Sequence, residues 1–587
     1  MRSTITTLLL LSTATLGQAG GQKLAPDLQN ISADGNIDVI VQYWHAPTDA
    51  NRRRASESGG QLKDSLDIIR AAHYSIPAKQ LVPLSNDPDV EFISPDRPVF
   101  ATAEGGSGNS NKATYQGNPD FGWRTVGADL ASNVFGLKGD GVGVAVIDSG
   151  LQNQDDLNSG QNVGGVVYKT SLLPGSNSRD DYGHGTHVAG IIAGNGQDSS
   201  GGGFTYTVRG IAPNVNIVSL RVLDQNGAGT DSAVIAAIQQ AISLQARYNI
   251  RVINLSLGRP VTSSYTTDPL CLAVQQAWQA GIVVVVAAGN GGRNNSLGTN
   301  GYGTITAPGN SPYVITVGAM NTVGTLTGAD DKIASYSSKG PTSIDHIVKP
   351  DLMAPGNRVL SLRDDGSTLD ISFPGNQVAR SVIQNGNASN ATEYYVLSGT
   401  SMAAPMVSGA AALLLQQNPS LTPDQVKARL MKTATKFAPG VSMSTDPVTG
   451  VTYTSAYDIF TVGAGYLNIP AALANNDLLS GSALSPTATF DVVSGNVYLG
   501  PTGTAAVWGT AAVWGTAAVW GTAAVWGTNV FVNGSAAVWG TAAVWGTAAV
   551  WGTGSPQAFA AVWGTAAVWG TGQTSGEATT IAINGDN

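Results

Sequence analysis

Val142-Gly143-Val144-Ala145-Val146-Ile147-Asp148-Ser149-Gly150 is a short apolar run that stops on an acid. The run Val142–Ile147 is β-branched and lacks polar alternation, as a strand buried on both faces should. Four more short β-branched runs follow: Ile217–Val222, Val252–Leu257, Ile282–Ala287 and Val314–Val317. Helical patterns separate them. In Ser232–Arg247, for instance, Val234, Ile235, Ile238, Ala241 and Ile242 fall on one helical face. Alternating β and α elements predict an α/β fold, a parallel sheet covered by helices on both sides. Sites in such sheets form at the carboxyl ends of strands, where Asp148 sits. A carboxylate there is costly unless it has a permanent partner.

Two other motifs stand at element boundaries. Gly183-His184-Gly185-Thr186-His187-Val188-Ala189-Gly190 opens a helix pattern that runs to Ala193. Gly399-Thr400-Ser401-Met402-Ala403-Ala404-Pro405 opens a long apolar helix pattern ending near Leu415. A serine at a helix N-terminus lies beside unpaired backbone N–H groups and the positive dipole end. Serine becomes a useful nucleophile when a base takes its proton, and a near-neutral histidine suits that task. An aspartate would fix the imidazole tautomer and stabilise the imidazolium. Asp148, His184 and Ser401 therefore form a candidate orienter, base and nucleophile in the chain order Asp–His–Ser.

With these three motifs the sequence resembles the subtilases, the subtilisin-like serine endopeptidases. Val252-Ile253-Asn254-Leu255-Ser256-Leu257-Gly258 and Val285-Val286-Ala287-Ala288-Gly289-Asn290 extend the resemblance, which covers about 125–475. It implies a subtilisin-like three-layer fold and peptide hydrolysis through an acyl-enzyme. It makes Asp148, His184 and Ser401 the catalytic triad. Asn290 becomes the side-chain donor of the oxyanion hole, beside the Ser401 backbone N–H. An extended substrate would add as a strand between Gly227-Ala228-Gly229 and Ser256-Leu257-Gly258. The glycines of the first segment would keep its backbone accessible. Ala287-Ala288-Gly289 would wall the specificity pocket, with its bottom near Thr306, implying a preference for uncharged side chains. His187 matches the family's second, non-catalytic histidine.

The chemistry requires no cofactor, but the resemblance carries an expectation of structural calcium. The loop Gly194–Gly203 lacks the family's ligand pattern. Asp156 matches a ligating position, yet one carboxylate is not a site, and a solvated surface acid explains it as well. Arg363–Leu397 is a longer connection than usual and reads as a surface insertion or a shaper of access to the cleft. Cys271, the single cysteine, excludes an intramolecular disulfide and reads as an inert core thiol.

The 587 residues carry 30 basic and 39 acidic side chains, a net charge of −9. That balance argues against nucleic acid as the main partner. Residues 1–19 read as a secretory signal, with Arg2, an apolar Ile5–Leu11 stretch and Gly17-Gln18-Ala19, so a secreted or cell-surface protein is expected. No other apolar stretch is long enough to suggest a membrane span. Residues 20–104 read as a small α+β unit. Strands are expected at Ile37–Tyr43 and Val90–Ile93, and a helix is expected through Leu62, Leu66, Ile69 and Ile76. The resemblance makes this unit an inhibitory ferredoxin-like propeptide, cut within about 101–115, ahead of a catalytic domain at 105–477.

Residues 478–587 differ from the rest. Ala-Ala-Val-Trp-Gly-Thr recurs with period six and holds 9 of the 12 tryptophans, from Trp508 to Trp569. The 85 residues between Asp491 and Glu577 contain no charged side chain, which accounts for part of the low charged fraction of 12%. An even period keeps every Trp on one face of an extended chain. The stretch reads either as a module contacting glycans or the cell envelope or as a low-complexity spacer. The first reading leaves open a binding or adhesion protein whose protease domain serves self-processing.

Overall fold

The computed structural model describes residues 23–101, 122–158, 164–385, 391–491, 496–499 and 581–586, less positions 30, 33, 297, 438–439 and 582. The expected signal and the Trp repeats lie outside the described residues. Two compact units divide at Asp96 and Arg97. No helix among the described residues is long and apolar enough to cross a membrane.

The first unit is a four-stranded antiparallel sheet of β1 (Asn36–Tyr43), β2 (Gln61–Leu66), β3 (Ala71–Pro77) and β4 (Val90–Pro95), in the order β2-β3-β1-β4. Helices Asp49–Glu57 and Leu81–Ser85 fall between β1 and β2 and between β3 and β4. This βαββαβ arrangement is ferredoxin-like. The core gathers Val39, Val41 and Tyr43 from β1, Ala72, Tyr74 and Ile76 from β3, and Ile93 from β4.

The helix expected through Leu62–Ile76 is absent; the segment forms β2 and β3 instead. Its apolar residues at 72, 74 and 76 follow a period of two, and Leu62 is exposed rather than in the core. The helix lies earlier, over the polar sequence Asp49–Glu57. There Thr48 accepts the Asn51 N–H, and the Asn51 side chain accepts the Thr48 N–H at 2.8 Å. This reciprocal cap starts a helix that apolar periodicity does not announce.

In the second unit β5 (Pro98–Ala101) precedes the central sheet. That sheet comprises β6 (Gly143–Asp148), β7 (Gly165–Ser171), β8 (Asn216–Arg221), β10 (Ile250–Leu255), β12 (Val283–Ala287), β13 (Ile315–Asn321), β14 (Lys332–Ile333) and β15 (Leu352–Pro355). Its order is β14-β13-β12-β10-β6-β8-β7, with β15 pairing β13. All pairs are parallel except β13 with β14. Each of the five apolar runs is a strand, with ends no more than four residues from those expected. Every residue of β6 and of β12 is buried, so both faces are covered. Helices His184–Ala193 and Thr400–Gln417 pack on each other and on the sheet, as do Asp231–Tyr248 and Pro269–Gln279. Asp268 caps the last of these through the N–H groups of Leu270 and Cys271. Cys271 is buried with its thiol 3.1 Å from Asn310 Oδ1, and burial pushes the thiol well up, as an inert core thiol requires.

The Arg363–Leu397 connection is built into the unit. Its strand Ala391–Leu397 pairs with Val359–Leu362 and Gln377–Ala379. Thr368 and Leu369 donate backbone N–H groups to the carbonyls of Asp181 and Tyr182, in the turn leading to His184. The described residues after 478 also join this unit. Ser485 donates to Asp351, and Ala488 N–H donates to the His346 carbonyl.

Candidate active site

Asp148 ends β6, in the middle of the sheet, and is buried. Its Oδ1 accepts the Ser149 N–H at 2.8 Å and lies 2.8 Å from His184 Nδ1. His184 is the first residue of its helix and is fully buried. The turn before it is held by Asp180, whose carboxylate accepts N–H groups from Tyr182, Gly183 and Thr186 at 3.2, 2.7 and 2.8 Å. His184 Nε2, on the far side of the ring, makes no hydrogen bond. Burial opposes a charge on this imidazole, but the carboxylates of Asp148 and Asp180 outweigh it and hold His184 above the ordinary value of 6.5.

Ser401 lies in the first turn of the Thr400–Gln417 helix, after Gly399, and is buried. Its Oγ donates to the Ser256 carbonyl at 2.9 Å, and Ser256 Oγ donates to the Ser401 carbonyl at 2.8 Å. No hydrogen bond joins Ser401 to His184 here, since Nε2 has none. The Asn290 amide is oriented by Thr400, whose N–H and Oγ1 both donate to Asn290 Oδ1, at 2.9 and 3.1 Å. The amide nitrogen is thereby turned away from Thr400. A Cβ at Gly399 would stand 3.1 Å from Asn290 Nδ2 and 3.6 Å from the Ser401 nitrogen. The two expected oxyanion donors thus border one space, which a side chain at 399 would fill.

The expected substrate strands are also brought together. β9 (Ala228–Thr230) and β11 (Leu257–Gly258) flank β5 in a three-stranded antiparallel sheet of order β11-β5-β9. Phe100 is opposite both Ala228 and Gly258, and Ala101 donates its N–H to the Gly227 carbonyl at 2.8 Å. Ser256, one residue before β11, sits at the nucleophile through its two bonds to Ser401. Gly227 has a positive φ of 73°, and a Cβ there would lie 2.7 Å from the Tyr182 ring. Its side-chain absence is therefore required by packing as well as by access to the backbone. Thr306 donates its N–H to the Ala288 carbonyl at 3.1 Å and abuts Gly289 and Gly258.

Asp156 is fully buried rather than solvated. Its Oδ1 accepts the Asp198 N–H at 2.8 Å and its Oδ2 accepts the Tyr394 hydroxyl at 2.7 Å. Both oxygens face neutral donors, and no group of three acidic, histidine or cysteine side chains fit for a metal occurs among the described residues. Asp156 is thus a buried hydrogen-bond acceptor rather than a solvent-exposed acid. His187 Nε2 lies 3.1 Å from both the Val359 and Tyr395 carbonyls, and burial pushes it down to about 3, so it stays neutral.

Sequence reading missed three supports. Asp180 and Thr400 orient His184 and Asn290; Asp180 sits four residues before His184, whereas Thr400 lies 110 residues after Asn290. Arg259, next after Gly258, is buried and reaches Asp231 at 2.7 Å and both oxygens of Asp268 at 2.8 Å. Asp231 directly follows β9, so this ion triad fastens the two outer strands of the cleft together. Only the oddity of a charged residue after an apolar strand hints at it.

The parallel sheet, the buried Asp–His pair and a serine at a helix N-terminus define an α/β serine peptidase. A family model described as the subtilase family, peptidase S8, matches residues 139–454. Serine protease AprX of Bacillus subtilis is 40% identical over 308 residues, which is 51% of this chain and 62% of AprX. Subtilisin E of the same species is 33% identical over 383 residues, covering 65% of this chain and 79% of subtilisin E. An extracellular serine proteinase of Thermus sp. is 34% identical over 369 residues, covering 62% of this chain and 71% of that one. In fold, the chain is similar to fervidolysin of Fervidobacterium pennivorans, with a TM-score of 0.54 and 23% identity over 77% of this chain and 63% of that one. The chain belongs to the subtilase family, the subtilisin-like serine endopeptidases. It spans less than two thirds of AprX and of fervidolysin.

Proposed function

We propose that this chain is a secreted endopeptidase that hydrolyses peptide bonds through an acyl-enzyme. The observation that carries this reading is the buried Asp148–His184 bond, which leaves Nε2 as the imidazole's unengaged acceptor. Ser401 Oγ turns from the Ser256 carbonyl to Nε2 and gives up its proton as it attacks the scissile carbonyl. Hydrogen bonds of this kind commonly form only once substrate is bound. Asn290 Nδ2 and the Ser401 N–H hold the oxyanion. His184 then returns the proton to the leaving amine, and a water molecule repeats the sequence on the acyl-enzyme. Every group in the scheme belongs to the chain itself.

Residues Gly227–Gly229 and Ser256–Gly258 receive the substrate as an added strand. The seat of β5, Pro98–Ala101, between them supports this, and also supports residues 20–104 as an inhibitory propeptide. The side chains of Pro98, Val99, Phe100 and Ala101 are uncharged, in keeping with uncharged subsites. Secretion follows from the signal-like residues 1–19, and relatives include a protein named as extracellular.

Expression of Ser401→Ala alone, with intact mass and N-terminal sequencing, tests the scheme. The parent is expected to lose its N-terminal unit by a cut within 101–115, and the variant to accumulate uncut. Normal maturation of the variant in the absence of other proteases contradicts it.

A further inference from the structure

Residues 581–586 follow the Trp-rich stretch, yet they are seated in the catalytic unit beside its catalytic loops. Ile581 is fully buried, and Gly585 N–H donates to the Ile581 carbonyl at 2.9 Å, closing one helical turn. Gly585 then takes a positive φ of 61° and turns the chain inward. A Cβ at that position would stand 2.3 Å from Asn357 Oδ1 and 2.4 Å from Ser398 Oγ, so only glycine fits.

Asp586 is almost fully buried, and its carboxylate accepts three hydrogen bonds. They come from Arg293 Nη2 at 2.8 Å, Ser335 Oγ at 2.7 Å and the Ser335 N–H at 2.6 Å. Asn357 reads the same residue's backbone: its Oδ1 accepts the Asp586 N–H at 2.6 Å and its Nδ2 donates to the Asp586 carbonyl at 3.0 Å. Arg358 donates to the Asn584 carbonyl at 3.2 Å and Asn376 to the Ile583 carbonyl at 2.8 Å.

The receiving groups come from five separated stretches of chain, at Arg293, Ser335, Asn357–Arg358, Asn376 and Ser398. Arg293 is three residues after Asn290, and Ser398 is three before Ser401. Arg293 is buried between the rings of Tyr336 and Tyr453, with Asp446 at 3.4 Å as its other acid. Without Asp586 the pocket would keep a buried guanidinium short of one carboxylate, the Ser335 N–H would lose its acceptor, and Asn357 would lose both its bonds to the Asp586 backbone. Buried donors left in that state are destabilising, so the pocket is chemically complete when an aspartate occupies it.

We propose that residues 581–586 are a docking peptide of this chain, held by an aspartate-binding pocket of Arg293, Ser335 and Asn357, so that the Trp-rich stretch is tied at both ends to the catalytic unit. The other end is Ala488, already bonded to His346. The pocket selects a peptide with a left-handed glycine followed by an aspartate. This goes beyond the peptidase reading and does not depend on it.

Hydrogen–deuterium exchange by mass spectrometry on the full chain carrying Ser401→Ala, which removes self-digestion, tests this. The amides of 583–586 are expected to exchange at least ~100-fold more slowly than in a free synthetic peptide of residues 578–587. Gly585→Ala and Asp586→Asn are each expected to bring 583–586 to the free-peptide rate. Both should also speed exchange at Ser335 and at Asn357–Arg358 while leaving β6 unchanged. Free-peptide exchange at 583–586 in the parent, or protection unaltered by both variants, overturns the proposal. Protection that rises with protein concentration overturns the tethering in favour of a second copy as occupant.

Discussion

Asp148, Asp180 and His184 form one half of the site, and two carboxylates and one imidazole are buried there together. Ser256, Asn290, Thr400 and Ser401 form the other, joined by hydrogen bonds between neutral groups. In the first half the arrangement holds because charges offset burial: Asp148 reaches His184 at 2.8 Å, and Asp180 is satisfied by three backbone N–H groups. In the second it holds through neutral hydrogen bonds of 2.8–3.1 Å that join Ser256 to Ser401 and Thr400 to Asn290. In the proposed scheme the charged half sets which protonation state works, and the neutral half sets where the developing charge is received. Changes in the two halves should be separable by pH.

The largest separable effect is expected from Asp148→Asn. It keeps the shape but loses the tautomer and the counter-charge, and kcat should fall by about four orders of magnitude. Its acid limb should also move to lower pH, since Asp148 helps to raise His184. A fall of less than tenfold in peptide turnover would break the assignment of that half. Asn290→Ala comes next, with a loss of roughly 10²–10³ in kcat and little change in KM. Its pH profile should match the parent's, and a displaced acid limb would show that the halves are not independent.

The smallest effect is the pH dependence of the unaltered protein. His184 acts as a base only when neutral, and its value is raised, so activity is complete above that value and lost as pH falls through it. The midpoint of kcat/KM should lie above the ordinary histidine value of about 6.5. A midpoint below 6 would contradict the dominance of the two carboxylates over burial.

The same contrast explains what the sequence made legible. The five apolar runs were readable because strands buried on both faces admit little else. Asp148, His184, Asn290 and Ser401 were readable because each sits in a short Gly-rich motif at the end of an element. Arg259 with Asp231 and Asp268, and Arg293 with Asp586, were not: the partners lie 28, 9 and 293 residues apart in the chain, and no local pattern links them. The first unit shows the opposite failure. Leu62, Leu66, Ile69 and Ile76 suggest a helix locally, but the sheet uses the period-two residues of β3, and the polar Asp49–Glu57 helix depends on its cap. Asp156 read as a surface acid because its burial depends on Tyr394, over two hundred residues later.

The most direct test of the central claim is reaction of the mature protein with a fluorophosphonate, followed by peptide mapping. A single adduct on Ser401, prevented by Ser401→Ala and slowed by Asp148→Asn, is the predicted result. A folded, mature protein that takes no adduct, or carries it on another residue, would contradict the account.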